Sequence, residues 1–66
     1  MTLPEHRLAQ ELLATADALR TAAIGIQKLE AANHPAVTGT PEAAVGGAHA
    51  RDVADALEVL AARLDP

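Results

Sequence analysis

Three histidines, His6, His34 and His49, are the residues of this chain best suited to metal binding or proton transfer. Asp52 follows His49 by three residues, so in a helix the two side chains lie one turn apart and could share a metal ion. Carboxylate-bridged metal bundles, however, use Glu-x-x-His motifs with further inward-facing glutamates, and the chain contains no such motif. We therefore predict no metal ligand; a regulatory ligand-binding or metal-binding helical bundle is the alternative function.

The sequence lacks the residues that enzymes usually use for catalysis. There is no Cys and no Ser to serve as a nucleophile. The pair Gly46 and Gly47 has neither the spacing nor the Lys of a phosphate-binding loop. Paired catalytic carboxylates need a shared apolar pocket, yet every acidic residue except Glu5 and Glu30 falls on a predicted outward face. The sequence predicts no enzyme, no catalytic residue and no cofactor.

Two groups of surface residues indicate contact with another protein. Asp52, Asp55 and Glu58 recur every three residues on the outer face of a predicted helix. Such a run is ordinarily a solvated face; the alternative is docking against a basic protein surface. Leu13 and Ile24 lie eleven residues apart and therefore share a helix face. They are either scattered surface residues or a second contact stripe, so all five residues are candidate partner contacts.

Composition and charge exclude several classes of partner. Five Lys and Arg against nine Asp and Glu give a formal charge of −4, the basic residues are scattered, and the chain has no aromatic residue. These features argue against nucleic acid and against an anionic membrane surface. No signal-peptide pattern and no apolar run of about 18 residues is present. We expect a soluble cytoplasmic protein, and the richness in alanine favours a bacterial or phage origin.

The elements that must position these residues are two helices. Thr2 and Glu5 match a capping box at the start of the first. The sequence from Asn33 to Pro35 ends it, because Asn tolerates the left-handed conformation and the residue before Pro leaves the α region. We predict a first helix over about 3–32 and a connection over 33–40.

Thr40, Pro41 and Glu42 predict the start of the second helix, as N-cap, first helical residue and favourable charge at the positive end. The two glycines at 46–47 cost about 2 kcal/mol relative to alanines. The alternative is a helix that begins only after them and leaves a long loop. We favour one continuous helix over about 41–64, in which 46–47 is the place where a kink or break could occur.

Seven-residue spacing predicts how the helices pack. Columns of large apolar residues run beside columns of small residues in both helices, and small residues let two backbones approach closely. An antiparallel arrangement also sets the bulky Ile26 against Gly46 or Gly47, a sensible match of volumes. The predicted helix-packing residues are the large residues Leu8, Leu12, Leu19, Ile26, Val53, Leu57, Leu60 and Leu64, and the small residues Ala9, Ala16, Ala23, Gly47, Ala54 and Ala61.

A lone hairpin of this size should associate. The 66 residues form a single domain, and a chain this short buries too small a fraction of its surface to be stable alone. A symmetric homodimer would cover the exposed side of the apolar columns. The sequence thus predicts an all-α antiparallel hairpin that dimerises into a four-helix bundle with close Ala/Gly packing. The predicted function is a non-catalytic protein–protein interaction module, acting as adaptor, inhibitor or assembly factor, whose partners are itself and another protein.

Overall fold

The computed structural model describes residues 3–66, and this part of the chain forms two α-helices and no strand. Helix α1, Leu3–Ala31, has 29 residues, and helix α2, Pro41–Leu64, has 24. Thr2 lies outside the described residues, and with it half of the capping box predicted at the start of α1. The chain between the helices forms a tight sequence of turns.

The helices run antiparallel and pack along their length as a hairpin. At the open end, His6 Nδ1 of α1 lies 2.6 Å from Oδ2 of Asp65, which follows α2. Nearer the connection, Arg51 of α2 donates to Gln27 of α1 over 3.3 Å. These contacts join the start of one helix to the end of the other, and the prediction of an all-helical hairpin is confirmed.

Helix α1 ends in a Schellman motif centred on Asn33. Asn33 has a φ of 57°, the left-handed conformation that the sequence predicts at this position. Its N–H donates to the Glu30 carbonyl over 3.0 Å, and the N–H of His34 donates to the Leu29 carbonyl over 3.0 Å. These bonds satisfy carbonyls that the last helical turn leaves open, and Pro35 follows where the helix cannot continue.

The connection returns the chain to α2 through two threonines and a glycine. The Thr38 hydroxyl donates to the Glu30 carbonyl over 3.1 Å, which ties the connection to the end of α1. Gly39 has a φ of 77°, a conformation that favours glycine. Thr40 then caps α2, since its side-chain oxygen accepts from the Ala43 N–H over 3.2 Å.

Helix α2 continues without interruption through Gly46 and Gly47. A Cβ built on Gly46 would lie 4.0 Å from Ile26 Cδ1, an ordinary van der Waals distance. A Cβ built on Gly47 would meet no heavy atom within 4 Å outside the local helix backbone. Ile26 therefore does approach Gly46, as predicted from volume matching, but the space beside both glycines also admits a methyl group.

Alanine supplies the buried interior of the hairpin. Among the residues whose burial the structure describes, the buried hydrophobic residues are Ala9, Ala16, Ala23, Ala43, Ala50, Ala54 and Ala61. Gly47 is buried as well. The large apolar side chains flank these positions and are half-buried or exposed. The resulting rod measures 48 × 14 × 13 Å.

Candidate interaction surface

Contacts between the helices identify two different sides of the hairpin. On one side, the Arg20 guanidinium of α1 contacts the Asp55 and Glu58 carboxylates of α2. The Arg51 guanidinium also donates to the Gln27 side chain on this side. We call these five residues the charged side, because ionised and amide groups link the two helices along it.

The opposite side of the hairpin is apolar. Ile26 meets Gly46 there, and residues spaced three and four positions from each continue the same face along their helix. We call the resulting fourteen positions the apolar face. They are Leu8, Leu12, Thr15, Leu19, Ala22, Ile26 and Leu29 of α1, and Ala43, Gly46, Ala50, Val53, Leu57, Leu60 and Leu64 of α2.

The chemistry of the apolar face is suited to burial. None of its fourteen residues carries a charge, and Thr15 is the single residue with a polar side chain. The Thr15 hydroxyl donates to the Glu11 carbonyl of its own helix over 2.9 Å. Because that donor is already paired, covering the face would leave no side-chain donor without a hydrogen bond.

Large side chains on the apolar face are incompletely covered by the hairpin itself. Leu8 and Leu60 are each 45% exposed, and Leu29 is 42% exposed. A typical compact monomer of 6.8 kDa exposes about 3,950 Å². The hairpin exposes 4646 Å², an excess of about 700 Å² on that scale. The excess approaches the roughly 800 Å² that each partner buries in a standard protein–protein interface.

Arg20 organises the charged side. One guanidinium nitrogen lies 2.6 Å from Asp55 Oδ1, and the other contacts a Glu58 carboxylate oxygen. The sequence interpretation set Asp55 and Glu58 on an outer face, and their side chains are 73% and 46% exposed. It missed Arg20, which reaches both carboxylates from the other helix. The signal was available in the antiparallel spacing, because a chain reversal near residues 37–38, inside the connection, brings Arg20 level with Asp55.

No protein-family model, curated protein or solved structure matches this chain. Over residues 3–66, neither helix is both long enough and apolar enough to cross a lipid bilayer.

The other candidate partner contacts lie on exposed surface. Leu13 is 46% exposed and Ile24 is 49% exposed, so both present apolar atoms to solvent. Leu13 borders the charged side, in the same seven-residue column as Arg20. Asp52 is exposed, and the described ion pairs that join the helices use Asp55 and Glu58. All three residues of the predicted acidic run are therefore exposed, and two of them, Asp55 and Glu58, also contact Arg20 of α1.

The three histidines have separate surroundings. His6 contacts Asp65 at the open end of the hairpin. His34 Nδ1 accepts a hydrogen bond from the Ala36 N–H over 3.1 Å inside the connection. His49 is exposed on α2. Within the part of the chain that the structure describes, no three His, Cys, Asp or Glu side chains converge on a common point.

Proposed function

We propose that the protein is a non-catalytic protein–protein interaction module that acts as a homodimeric four-helix bundle. The apolar face is the self-association surface, and the remaining surface is available to another protein as an adaptor, inhibitor or assembly factor would use it. The observation that carries the proposal is an uncharged face running the length of both helices with its large side chains half-covered.

A second copy of the chain is the occupant that fits this face best. In a two-fold interface the same patch meets itself, so each patch must be compatible with its own chemistry. An uncharged, apolar patch meets that requirement, whereas an interface through the charged side would have to remove ionised groups from water. The whole hairpin also exposes about 700 Å² more than a compact monomer of its mass, which approaches the roughly 800 Å² that one partner buries in a standard interface.

Close Ala/Gly contact within each hairpin would hold the two helices in register for this dimer. The columns that contain Ala16 and Ala54 are buried, and both of these residues are 0% exposed. Small side chains let helix axes approach to the lower part of the usual 8–10 Å range. The large residues are then displaced to the flank, which is where the second copy meets them.

Adjacent residues of α2 supply a matched test of self-association. Leu60 on the apolar face is 45% exposed, and Val59, on the outer surface, is 51% exposed. In an isolated hairpin, a glutamate is tolerated equally at either site. In the dimer, Leu60→Glu buries an unpaired charge, which costs about 3 kcal/mol or more, while Val59→Glu stays in water.

Sedimentation equilibrium measures the outcome over micromolar to millimolar concentration. We expect twice the 6.8 kDa chain mass for the wild type and for Val59→Glu. We expect an at least hundredfold weaker dimer for Leu60→Glu, since about 3 kcal/mol corresponds to two powers of ten in Kd. A monomeric wild type at these concentrations, or equal effects of the two substitutions, contradicts the proposal.

The partner-binding half of the proposal needs its own experiment. Wild-type protein and the Val59→Glu and Leu13→Glu/Ile24→Glu variants are used to capture proteins from host extract. A single protein retained by the first two and lost with the third supports partner contact through Leu13 and Ile24. Equal recovery on all three contradicts a role for these residues.

A further inference from the structure

We infer that the two copies of the proposed homodimer pack with their connections at opposite ends of the bundle. This inference rests on the proposed function, because it concerns the orientation of that dimer. Two face-to-face orientations have two-fold symmetry and antiparallel neighbouring helices. In one the connections lie at the same end, and in the other they lie at opposite ends.

The apolar face has an uneven distribution of bulk along its length. The contact of Ile26 with Gly46 fixes which residues of α1 and α2 lie level with each other. Towards the open end this places Leu8 level with Leu64, so both helices present a large side chain there. Nearer the connection it places Ala22 level with Ala50, so both present a methyl group. The side chains of the apolar face are therefore larger at the open end of the hairpin than towards the connection.

Placing both connections at the same end would bring the same residues of the two copies into one layer. Leu8 and Leu64 of one copy would meet Leu8 and Leu64 of the other, giving a layer of four leucines. Ala22 and Ala50 would likewise form a layer of four alanines. A bundle cannot be tight in one layer and loose in the next without leaving a void or separating its helices, and interiors pack to a uniform high density.

Placing the connections at opposite ends makes the total side-chain volume more similar from layer to layer. The layer of Leu8 and Leu64 then meets Leu29 and Ala43 of the second copy, which gives three large residues and one small one. The centre of the face, at Leu19, meets its own copy across the two-fold axis. The bulkier end of each copy lies against the less bulky end of the other, so large side chains pack against smaller ones, as in close-packed interiors.

Charges on the rim of α2 are compatible with this orientation but do not select it, because the same-end dimer would bring Glu11 near Arg63. Glu42 and Arg63 are exposed and belong to one seven-residue column beside the apolar face. Val53, at the centre of α2, is eleven residues from Glu42 and ten from Arg63. When α2 packs antiparallel against α2 of the second copy about Val53, Glu42 of each copy comes level with Arg63 of the other. The dimer then contains two pairs of opposite charges, related by the two-fold axis.

Spin labels measure the orientation directly, because the chain has no native Cys. Ala36→Cys places a nitroxide in the exposed connection of the 66-residue chain. With the connections at opposite ends, the label-to-label distance is close to the 48 Å length of the hairpin. With both at the same end it is below about 25 Å, since packed helix axes lie about 8–10 Å apart.

A second label separates failure of the orientation from failure of the dimer. Thr21→Cys is exposed near the middle of α1, so it gives a short distance, below about 30 Å, in either orientation of helices spaced about 8–10 Å apart. A short distance from both labels overturns the proposed orientation and keeps the dimer. No dipolar coupling from either label, with a monomer mass, overturns the dimer and the orientation together.

Charge exchange gives an independent readout of the same question. Arg63→Glu creates two repulsive pairs in either orientation and weakens the dimer by about fivefold, as expected for exposed charges. Glu42→Arg in that background restores the wild-type Kd if the connections lie at opposite ends. Glu11→Arg is the control of identical net charge, because Glu11 lies near Arg63 only in the same-end dimer. Rescue by Glu11→Arg alone overturns the inference.

Discussion

Enlarging one buried alanine probes the contact that holds the hairpin together. Ala16 lies near the middle of α1 and is 0% exposed. Leucine at this position adds three carbons, worth about 0.8 kcal/mol each if room existed to bury them. With the site already enclosed, the helices must instead separate, and we expect Ala16→Leu to destabilise the protein by about 1–3 kcal/mol.

The matched control is Ala14→Leu, because Ala14 is exposed on the same helix. Alanine and leucine have similar helix propensities, so the control isolates packing from helix formation. Urea denaturation followed by circular dichroism, at one protein concentration, gives the free energies of unfolding. For a chain this small, the loss in Ala16→Leu lowers Tm by roughly 5–20 °C, while Ala14→Leu shifts stability by less than about 0.5 kcal/mol.

A double substitution identifies overpacking as the cause. Ala54 is also 0% exposed, on α2, and Ala54→Gly removes a methyl group from the buried side of that helix. If the added leucine is too large for the space, Ala54→Gly costs less in the Ala16→Leu background than in the wild type. Equal stabilities of Ala16→Leu and Ala14→Leu would refute the small-residue packing, whatever the double variant shows.

Substitutions at four further positions test the backbone and the charged side by the same denaturation assay. Gly47→Ala should stabilise by about 1 kcal/mol, because helix propensity improves and the added Cβ meets no atom within 4 Å; destabilisation would show that this glycine is needed for packing. Gly39→Ala should destabilise by about 1 kcal/mol, because its φ of 77° disfavours a side chain; no loss would contradict that conformation. Thr40→Ala should cost about 1 kcal/mol through loss of the α2 cap, and Thr40→Ser should recover most of it. Arg20→Gln should cost at most about 1 kcal/mol, since exposed ion pairs are weak, and should reduce the salt dependence of stability; an unchanged salt dependence would contradict the two ion pairs.

Local sequence signals were sufficient to predict the hairpin. Asn33 ends α1 in the conformation expected of it, and Thr40 caps α2 with its side chain. Both effects act within a few residues, so the sequence reveals them without knowledge of the tertiary structure. Fold class followed because two segments of helical spacing joined by a short connection have few ways to pack.

Tertiary contacts were harder to predict, because they depend on which columns of the two helices face one another. The spacing of Arg20 and Asp55 is informative only once the helices are known to be antiparallel, with the chain reversing near residues 37–38. The two glycines at 46–47 were interpreted as a volume match for Ile26. The structure leaves room for a methyl group at both, and only the distance between the helices, which no local pattern contains, decides that.

A domain that is stable alone buries its large apolar side chains, whereas this hairpin buries small side chains and leaves several large ones exposed. Its interior is alanine, and burying alanine stabilises the fold only slightly because each side chain contributes about one methyl group. Leu8, Leu29 and Leu60, which would return most when buried, are each more than 40% exposed. These residues share one uncharged face, whereas the charged groups that join the helices lie on the other. We infer that each hairpin supplies half of a hydrophobic core, and that the second half comes from another copy of the same chain.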